Sequence, residues 1–379
     1  MKKIAIWIII LVVIIGVIVW HQLSSTTENE EDIIKIGVIF PLTGGAAHIG
    51  ELAKRGVILA AEDINAAGGI KGKKIKLIIE DVGMVPLRAM DAYRKLKDME
   101  NVRFFISMMS NNSIVLAKEI DKEKGNALLM TSHVNIEDFT KISPYVFRVN
   151  TTTQSEVLAL YDYLIKRLGF KNPAIYTSND DYGKEVAERF IKLLGKPPVA
   201  YETFERGQLD HRITLLKIKA QNPDVCLFIG NELTVPTAIK QAKEAELSCQ
   251  YVATTPIADS ASLTLAGEAA NGMLYHTTPF ADKASNSPKQ LQLRKAYKEK
   301  YGKEAEYSAV NPYAAIEMLA AGMNLSPSLE PDDVKEALLS MKDVETIYGS
   351  LSFNADGDVQ LPLMLFRYQD GQSVPVEAP

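Results

Sequence analysis

The sequence predicts an α/β protein with two doubly wound parallel-sheet lobes, preceded by an N-terminal transmembrane helix. Three observations carry the prediction of two lobes. Short β-rich runs alternate with helical patterns of about ten to fifteen residues, which is the order of βαβ units. The strand runs are apolar throughout, as is typical of parallel strands covered on both faces. The alternation restarts after a polar break at 150–153, so the 379 residues divide between two lobes.

The first lobe begins with a strand that is followed by an amphipathic helix. Apolar runs predict strands at 34–40, 75–80, 102–108 and 127–131, and helical patterns lie between them at 51–65, 86–99 and 113–124. In the first of these helices, Ala53, Val57 and Ala60 share one face. Gly68 and Gly69 follow and predict the end of that helix.

The second lobe repeats the pattern. Strands are predicted at 173–177, 224–230 and 250–254, and helices at 183–194 and 236–246. Gly195 predicts the end of the first helix, and the acidic pair Asp180 and Asp181 before it is typical of a turn and helix N-cap. Two late helices at 287–301 and 311–323 and two last strands at 349–353 and 361–368 complete the chain.

The N-terminal segment differs from the rest of the chain because it is almost entirely apolar, whereas charged residues make up 23% of the whole sequence. Residues 4–20 carry no charge and follow Lys2 and Lys3, and such a run is at the short end of the roughly 17–25 residues that cross a bilayer. No Ala-x-Ala cleavage site follows it, and no cysteine near its end could accept a lipid. We therefore expect residues 1–23 to be an uncleaved membrane anchor. A cleaved signal or a buried core helix is the alternative. Residues 24–32 are a predicted polar linker. We expect the rest of the chain, from residue 33 onward, to lie outside the cytoplasm.

Charge and cysteine content restrict the partners. Lys and Arg number 42 against 47 Asp and Glu, a formal net charge of −5, and a chain without a basic excess is a poor candidate for nucleic-acid binding. Cys226 lies inside an apolar run and Cys249 just precedes another. A disulfide is possible if these runs are neighbouring strands, but two buried free thiols are the favoured interpretation. The five histidines show no spacing typical of a metal site.

The motifs of common α/β enzymes are missing. The glycine-rich turn at 41–50 has neither the G-x-G-x-x-G spacing of a dinucleotide site nor the Gly-Lys-Ser/Thr of a P-loop. No G-x-S-x-G or H-E-x-x-H motif occurs. We therefore expect a protein that binds without catalysis and needs no cofactor.

Polar turns follow the predicted strands and offer hydroxyls, amides and helix N-terminal N–H groups. They lie at 110–113, 132–135, 178–183 and 230–232. In doubly wound sheets, ligands bind outside the carboxyl ends of the strands, and helix N-termini favour carboxylates. Ordinary helix capping is the alternative explanation of each turn.

These residues resemble the leucine/isoleucine/valine-binding protein family, the type I periplasmic binding proteins of branched-chain amino acid ABC importers. The resemblance covers essentially residues 33–379. The motifs that carry it are the opening block 34–50, Gly56 with 59–61, the stretch 63–72, the pair 80–81, and the segments 144–148, 174–176, 181–183, 270–273 and 370–371. It implies two lobes joined by three crossovers that enclose the ligand by hinge closure. It assigns 33–148 and 279–349 to lobe I, and 149–278 and 350–379 to lobe II.

The resemblance also implies a ligand shell. The serine-type loop that holds an α-carboxylate matches Ser110 and Asn111, and Tyr182 matches the aromatic residue of the second lobe. The small-residue turn of the family matches Ser132, His133, Val134 and Asn135, and the position near the aromatic residue after the first strand is Ile49.

The acid that pairs with the ligand ammonium in the family falls near Pro256, so Glu232 or Asp259 would have to replace it. Otherwise the ligand is not an α-amino acid, because an unpaired buried charge is costly. The resemblance implies a small-molecule ligand, such as an amino acid or a related amide or carboxylate, and an ABC permease as partner. A ligand-sensing domain of the same fold is the alternative function.

Overall fold

The first lobe is built on a five-stranded parallel sheet, as the alternation predicts. The computed structural model describes residues 32–376. Its first strands and helices are β1 Ile33–Phe40, α1 Ala47–Ala66, β2 Lys74–Asp81, α2 Pro86–Glu100, β3 Phe104–Met108, α3 Ser110–Glu123, β4 Leu128–Ser132 and β5 Val146–Arg148. The strand order is β2-β1-β3-β4-β5, with every neighbouring pair parallel. Apolar side chains cover both faces of this sheet in two clusters.

The second lobe contains a seven-stranded sheet. Its elements are α4 Thr153–Tyr161, continued by a π-helical turn at Asp162–Arg167, β6 Pro173–Ser178, α5 Asp181–Leu194, β7 Ala200–Phe204, α6 Arg212–Ala220, β8 Val225–Ile229, α7 Thr234–Glu244, β9 Gln250–Ala253, α8 Ser260–Ala266 and β10 Leu274–Thr277. The late strands of the chain complete this sheet at one edge. As predicted, Asp180 is the N-cap of α5, and its side chain accepts a hydrogen bond from the Gly183 N–H. The helix ends at Gly195, also as predicted.

The third part of the chain returns to the first lobe. It forms the helices α9 Pro288–Tyr301, α10 Tyr307–Leu325 and α11 Pro331–Ser340 and the hairpin of β11 Val344–Thr346 with β12 Gly349–Leu351. The helix α10 packs against α1 so closely that a Cβ at Gly56 would lie 1.9 Å from the Ala309 carbonyl oxygen. This approach explains why a glycine occupies the middle of α1.

The last strands correct two sequence expectations. The predicted strand at 349–353 divides into β12, which pairs with β11, and an isolated bridge between Phe353 and Val359. Leu351, Phe353 and Leu361 belong to the same apolar cluster as the core of the first lobe. After Leu361 the chain runs to the sheet of the second lobe. It then forms β13 Met364–Gln369 and β14 Gln372–Pro375, which are antiparallel, so the order β14-β13-β10-β9-β8-β6-β7 is parallel except at this edge. The complete set of lobe limits stays a prediction.

The two cysteines are joined, which makes the expectation of free thiols wrong. Cys226 lies in β8 and Cys249 directly precedes β9. These strands are parallel neighbours in which Val225 faces Gln250, and this register brings the two Cα atoms to 6.1 Å in a disulfide. A bond across neighbouring strands fits an oxidising compartment.

The predicted anchor at 4–20 lies outside the described residues and stays a prediction. Among the helices of residues 32–376, none is long and apolar enough to cross a bilayer.

Reduction of the disulfide is expected to destabilise the second lobe. The bond joins residues 23 positions apart, and closing a loop of this size contributes about 3 kcal/mol to the free energy of unfolding. Urea unfolding with and without dithiothreitol measures this loss. The double variant Cys226→Ala/Cys249→Ala is the control and should not respond to dithiothreitol. Free thiols titrated in the unreduced, denatured protein would contradict the bond.

Candidate functional site

A cavity of about 330 Å³ lies between the two lobes, at the carboxyl ends of both sheets. The turns after β1, β2, β3 and β4 form one wall, and the turns after β6, β7, β8 and β9 form the other. The start of α10 completes it with Tyr307 and Ser308. This is the position at which doubly wound sheets bind ligands.

Most residues of the predicted ligand shell come together at this cavity. Those that line it are Ile49, Ser110, Asn111, His133, Asn135, Tyr182 and Glu232. They come from five turns or helix starts that are far apart in the chain.

Three predicted residues lie behind the wall, which corrects their placement. Val134 is fully buried in the apolar core of the first lobe, and the Ser132 hydroxyl contacts His133 Nδ1 at 3.2 Å. The carboxylate of Asp259 accepts hydrogen bonds from the backbone N–H and the hydroxyl of Ser308, across the cleft. Burial, helped by the negative charge of Glu306, raises the pKa of Asp259 to about 7.

The first-lobe wall has the properties of a carboxylate site. The helix α3 begins at Ser110 without a side-chain cap and without an acid in its first turn, so its first N–H groups favour an anion. Met109 before it has a φ of +68°, an unusual conformation for a non-glycine residue that turns the chain sharply into the helix. Asn111 Oδ1 is buried here without a hydrogen-bond partner among the described residues.

His133 is a neutral histidine in the same wall. Burial lowers its pKa to about 4. Its ring packs edge-on against Tyr307 at 5.4 Å, and its φ of +54° is a second strained conformation at the cavity. Within residues 32–376 no group pairs with the buried Nε2. Polar atoms that are buried and unpaired are unusual, and a ligand would satisfy them.

The second-lobe wall contains Tyr182 at the start of α5. The glycine after it is needed for packing, since a Cβ at Gly183 would lie 2.3 Å from the Ser178 carbonyl oxygen. Asn231 caps α7 by accepting from the Thr234 N–H at 3.0 Å, and its Nδ2 finds no partner in the described part of the chain.

Glu232 provides a carboxylate in this wall. Its Oε1 lies 3.6 Å from the guanidinium of Arg206, which also lines the cavity and is partly exposed. Pro256 lines the cavity at the place where the resemblance predicts an acid. Glu232 is therefore the predicted replacement acid that reaches the cavity, whereas Asp259 does not.

Arg148 holds the loop that carries Asn135. Its buried guanidinium pairs with Asp358 at 2.7 Å and donates to the carbonyl oxygens of Val134 and Ile136 at 3.3 Å and 2.5 Å. Because a buried ion pair needs such additional hydrogen bonds, the pair and the loop depend on each other.

The sequence reasoning missed Glu156, which lies directly behind the cavity wall. Its side chain is completely buried in the first turn of α4. Its oxygens accept hydrogen bonds from Tyr182 Oη at 2.9 Å and Thr255 Oγ1 at 2.8 Å, and Asn135 Nδ2 lies 3.3 Å away. These three donors line the cavity.

The described residues contain no cluster of His, Cys, Asp and Glu that could hold a metal ion.

The fold and cleft define a two-lobed protein with its site between the lobes. The chain belongs to the periplasmic binding protein family, whose model matches residues 33–372. This confirms the resemblance seen in the sequence. The curated relatives below are named as binding proteins and not as enzymes.

Two relatives illustrate the similarity. The chain is 29% identical to the Leu/Ile/Val-binding protein homolog 3 of Brucella melitensis over 352 residues, which are 91% of this chain and 94% of the relative. It is 29% identical to an amino acid binding protein of Pseudomonas aeruginosa over 356 residues, which are 92% and 93% of the two chains.

Solved structures share the fold. The branched-chain amino acid transporter substrate-binding protein of Streptococcus pneumoniae, in complex with isoleucine, superposes with a TM-score of 0.83 at 24% identity, covering 91% of this chain and 99% of that one. A solute-binding protein of R. palustris in complex with benzoate gives 0.80 at 20% identity, covering 91% and 95%.

The buried His133 is expected to make stability depend on pH. Its pKa is about 4 in the folded protein against 6.5 ordinarily, so the unfolded chain binds more protons between these values. The free energy of unfolding should therefore fall as the pH drops from about 6.5 towards 4. Urea unfolding of the wild type and His133→Gln at several pH values measures this contribution as their difference.

The control is His48→Gln, because His48 is exposed. The free energy of unfolding of His48→Gln is measured at the same pH values as the reference for the His133→Gln difference. A His133→Gln difference that does not change with pH would contradict the neutral, buried state of His133.

Proposed function

We propose that the protein is the extracytoplasmic solute-binding component of a branched-chain amino acid type ABC importer. The observation that carries the proposal is the interlobe cavity, with unpartnered polar atoms on both walls. Family membership and the names of the relatives support it. The protein captures its ligand by closing the lobes, which shifts the population towards the closed form, and delivers it to an ABC permease. Residues 4–20 are the proposed tether to the cytoplasmic membrane.

The ligand that fits this cavity is a small carboxylate with a nitrogen donor, such as an amino acid or a related amide. The uncapped start of α3, with Ser110 and Asn111, is the proposed site for the carboxylate. Ile49, Met84 and Ile136 offer an apolar surface to a side chain. Most of the acidic side chains lie on the opposite wall, so the nitrogen faces the second lobe.

Glu232 is the proposed direct partner of the ligand nitrogen. Its carboxylate lines the cavity and is shared with Arg206, which holds the charge in place until a ligand arrives. Asp259 is engaged by Ser308 and instead joins the lobes. His133, Asn135 and Tyr182 complete the proposed shell, while Ser132 and Val134 support it from behind.

A ligand screen tests the function. Thermal unfolding of the full-length protein in a non-ionic detergent is followed with amino acids, amides and aromatic acids. A ligand at about 100 times its dissociation constant should add about 2.7 kcal/mol to the free energy of unfolding. The absence of stabilisation by every compound would contradict the proposal.

The variant Glu232→Gln tests the nitrogen partner. It removes the charge but keeps the shape, so we expect amino acid affinity to fall about tenfold or more, measured by isothermal titration calorimetry. Glu119→Gln is the matched control. Glu119 also pairs with an arginine, with its Oε1 at 3.2 Å from the guanidinium of Arg94, but it does not line the cavity. Unchanged affinity in Glu232→Gln would remove Glu232 from the site.

A further inference from the structure

The wall of the cavity in front of Glu156 has a defined hydrogen-bond polarity. A carboxylate has no hydrogen to donate, so every hydrogen bond at Glu156 takes a hydrogen from a neighbour. Tyr182 donates to Oε2, and Thr255 donates to Oε1. Each of these hydroxyls has a single hydrogen, and both hydrogens point away from the cavity.

The amide of Asn135 follows the same rule. Its Nδ2 is directed at Glu156 and at the Thr151 hydroxyl, both at 3.3 Å. The Oδ1 of Asn135 is left for other contacts. The three groups that line the cavity on this side, Asn135, Tyr182 and Thr255, can therefore contact a ligand through oxygen atoms that accept hydrogen bonds.

We propose that Glu156 is a positioning residue that makes this wall selective for a ligand with N–H donors. The inference rests on the proposed function and adds a second source of recognition for the ligand nitrogen. An ammonium group has three hydrogens to place. Glu232 supplies one anionic partner, and the oriented oxygens of Asn135, Tyr182 and Thr255 supply neutral ones. This explains how the site functions with Pro256 where the family resemblance predicts an acid.

The surroundings of Glu156 keep this arrangement rigid. The side chain is fully buried, and Thr151 at the first crossover also lies 3.4 Å from Oε1. His276 of β10 is buried on the other side, with Nε2 at 3.4 Å from the same oxygen. Burial and the negative charge of Glu156 raise the pKa of Tyr182 well above its ordinary value, so its hydroxyl keeps the hydrogen that it donates.

The test compares an amino acid with its desamino analogue. L-leucine and 4-methylpentanoate share the carboxylate and the side chain, and only L-leucine carries the amino group. Isothermal titration calorimetry on the full-length protein in detergent gives both dissociation constants for the wild type, Glu156→Gln and Tyr182→Phe. In Glu156→Gln the new amide donates hydrogens, so the wall loses its uniform polarity.

The expected result is a change in discrimination. L-leucine should lose about tenfold or more in affinity in both variants, while 4-methylpentanoate should change little. A purely structural role would weaken both compounds together. Tyr182→Phe keeps Glu156 and the ring, and it therefore tests the proposal even where Glu156→Gln fails to fold.

Tyr93→Phe is the matched control. Tyr93 is also a buried tyrosine that donates to a glutamate, with its Oη at 2.8 Å from Glu123 Oε2, but it lies away from the cavity. Its two dissociation constants should equal those of the wild type. Binding of L-leucine with unchanged discrimination in the Glu156 and Tyr182 variants would overturn this inference alone. A wild type that binds neither L-leucine nor any other compound of the ligand screen would overturn the proposed function as well.

Discussion

Glu156 is completely buried, and a buried carboxylate is tolerated only when donors surround it. The donors come from several parts of the fold. Asn135 belongs to the first lobe, Thr151 to the first crossover, and Tyr182 and Thr255 to the second lobe. The need to satisfy one charge thus links both lobes to the crossover and also determines which atoms of the wall face a ligand. The proposed ligand wall and the connection at Thr151 share the same hydrogen bonds, so the proposed closure and recognition would depend on one network.

The two walls of the cleft differ in their electrostatics. The first-lobe wall presents an uncapped helix start and a neutral His133, and nothing there carries a negative charge that would repel a carboxylate. The second-lobe wall holds Glu232 and the acceptor oxygens of Tyr182 and Thr255 in front of Glu156, and Asn135 adds a third acceptor from the first lobe. An amino acid zwitterion fits these two walls, with its carboxylate towards the first lobe and its ammonium towards Glu232. A second link between the lobes, from Asp259 to Ser308, lies beside the same cavity.

Much of the fold could be predicted because parallel strands are apolar throughout and their helices are amphipathic. The strand predicted at 34–40 is β1, and the predicted cap and stop of α5 are both confirmed. The edge strand β7 is missing from the prediction because only Phe204 of its five residues is buried, so the strand carries too little apolar signal. The disulfide of Cys226 was misjudged because the pairing and register of β8 and β9 depend on contacts distant in sequence.

The rule that ligands bind at carboxyl strand ends places Ser110, His133 and Tyr182 at the cavity, which they line. Their contacts with a ligand stay a prediction. Glu156 was missed because an acid in the first turn of a helix is an ordinary complement to the helix dipole. A signal was present: Glu156 falls on the same buried stripe of α4 as Val157 and Leu160. An acid on an apolar helix face needs a partner, and only the folded structure shows which one.

The proposed ligand binds in the interlobe cleft with its carboxylate at the start of α3 and its nitrogen at the oxygens in front of Glu156. A crystal structure of the protein with L-leucine shows this orientation directly. We expect the carboxylate at the N–H groups of α3, and the ammonium within about 3 Å of Tyr182 Oη or Thr255 Oγ1. A ligand bound in the reverse orientation, or outside this cleft, would contradict it.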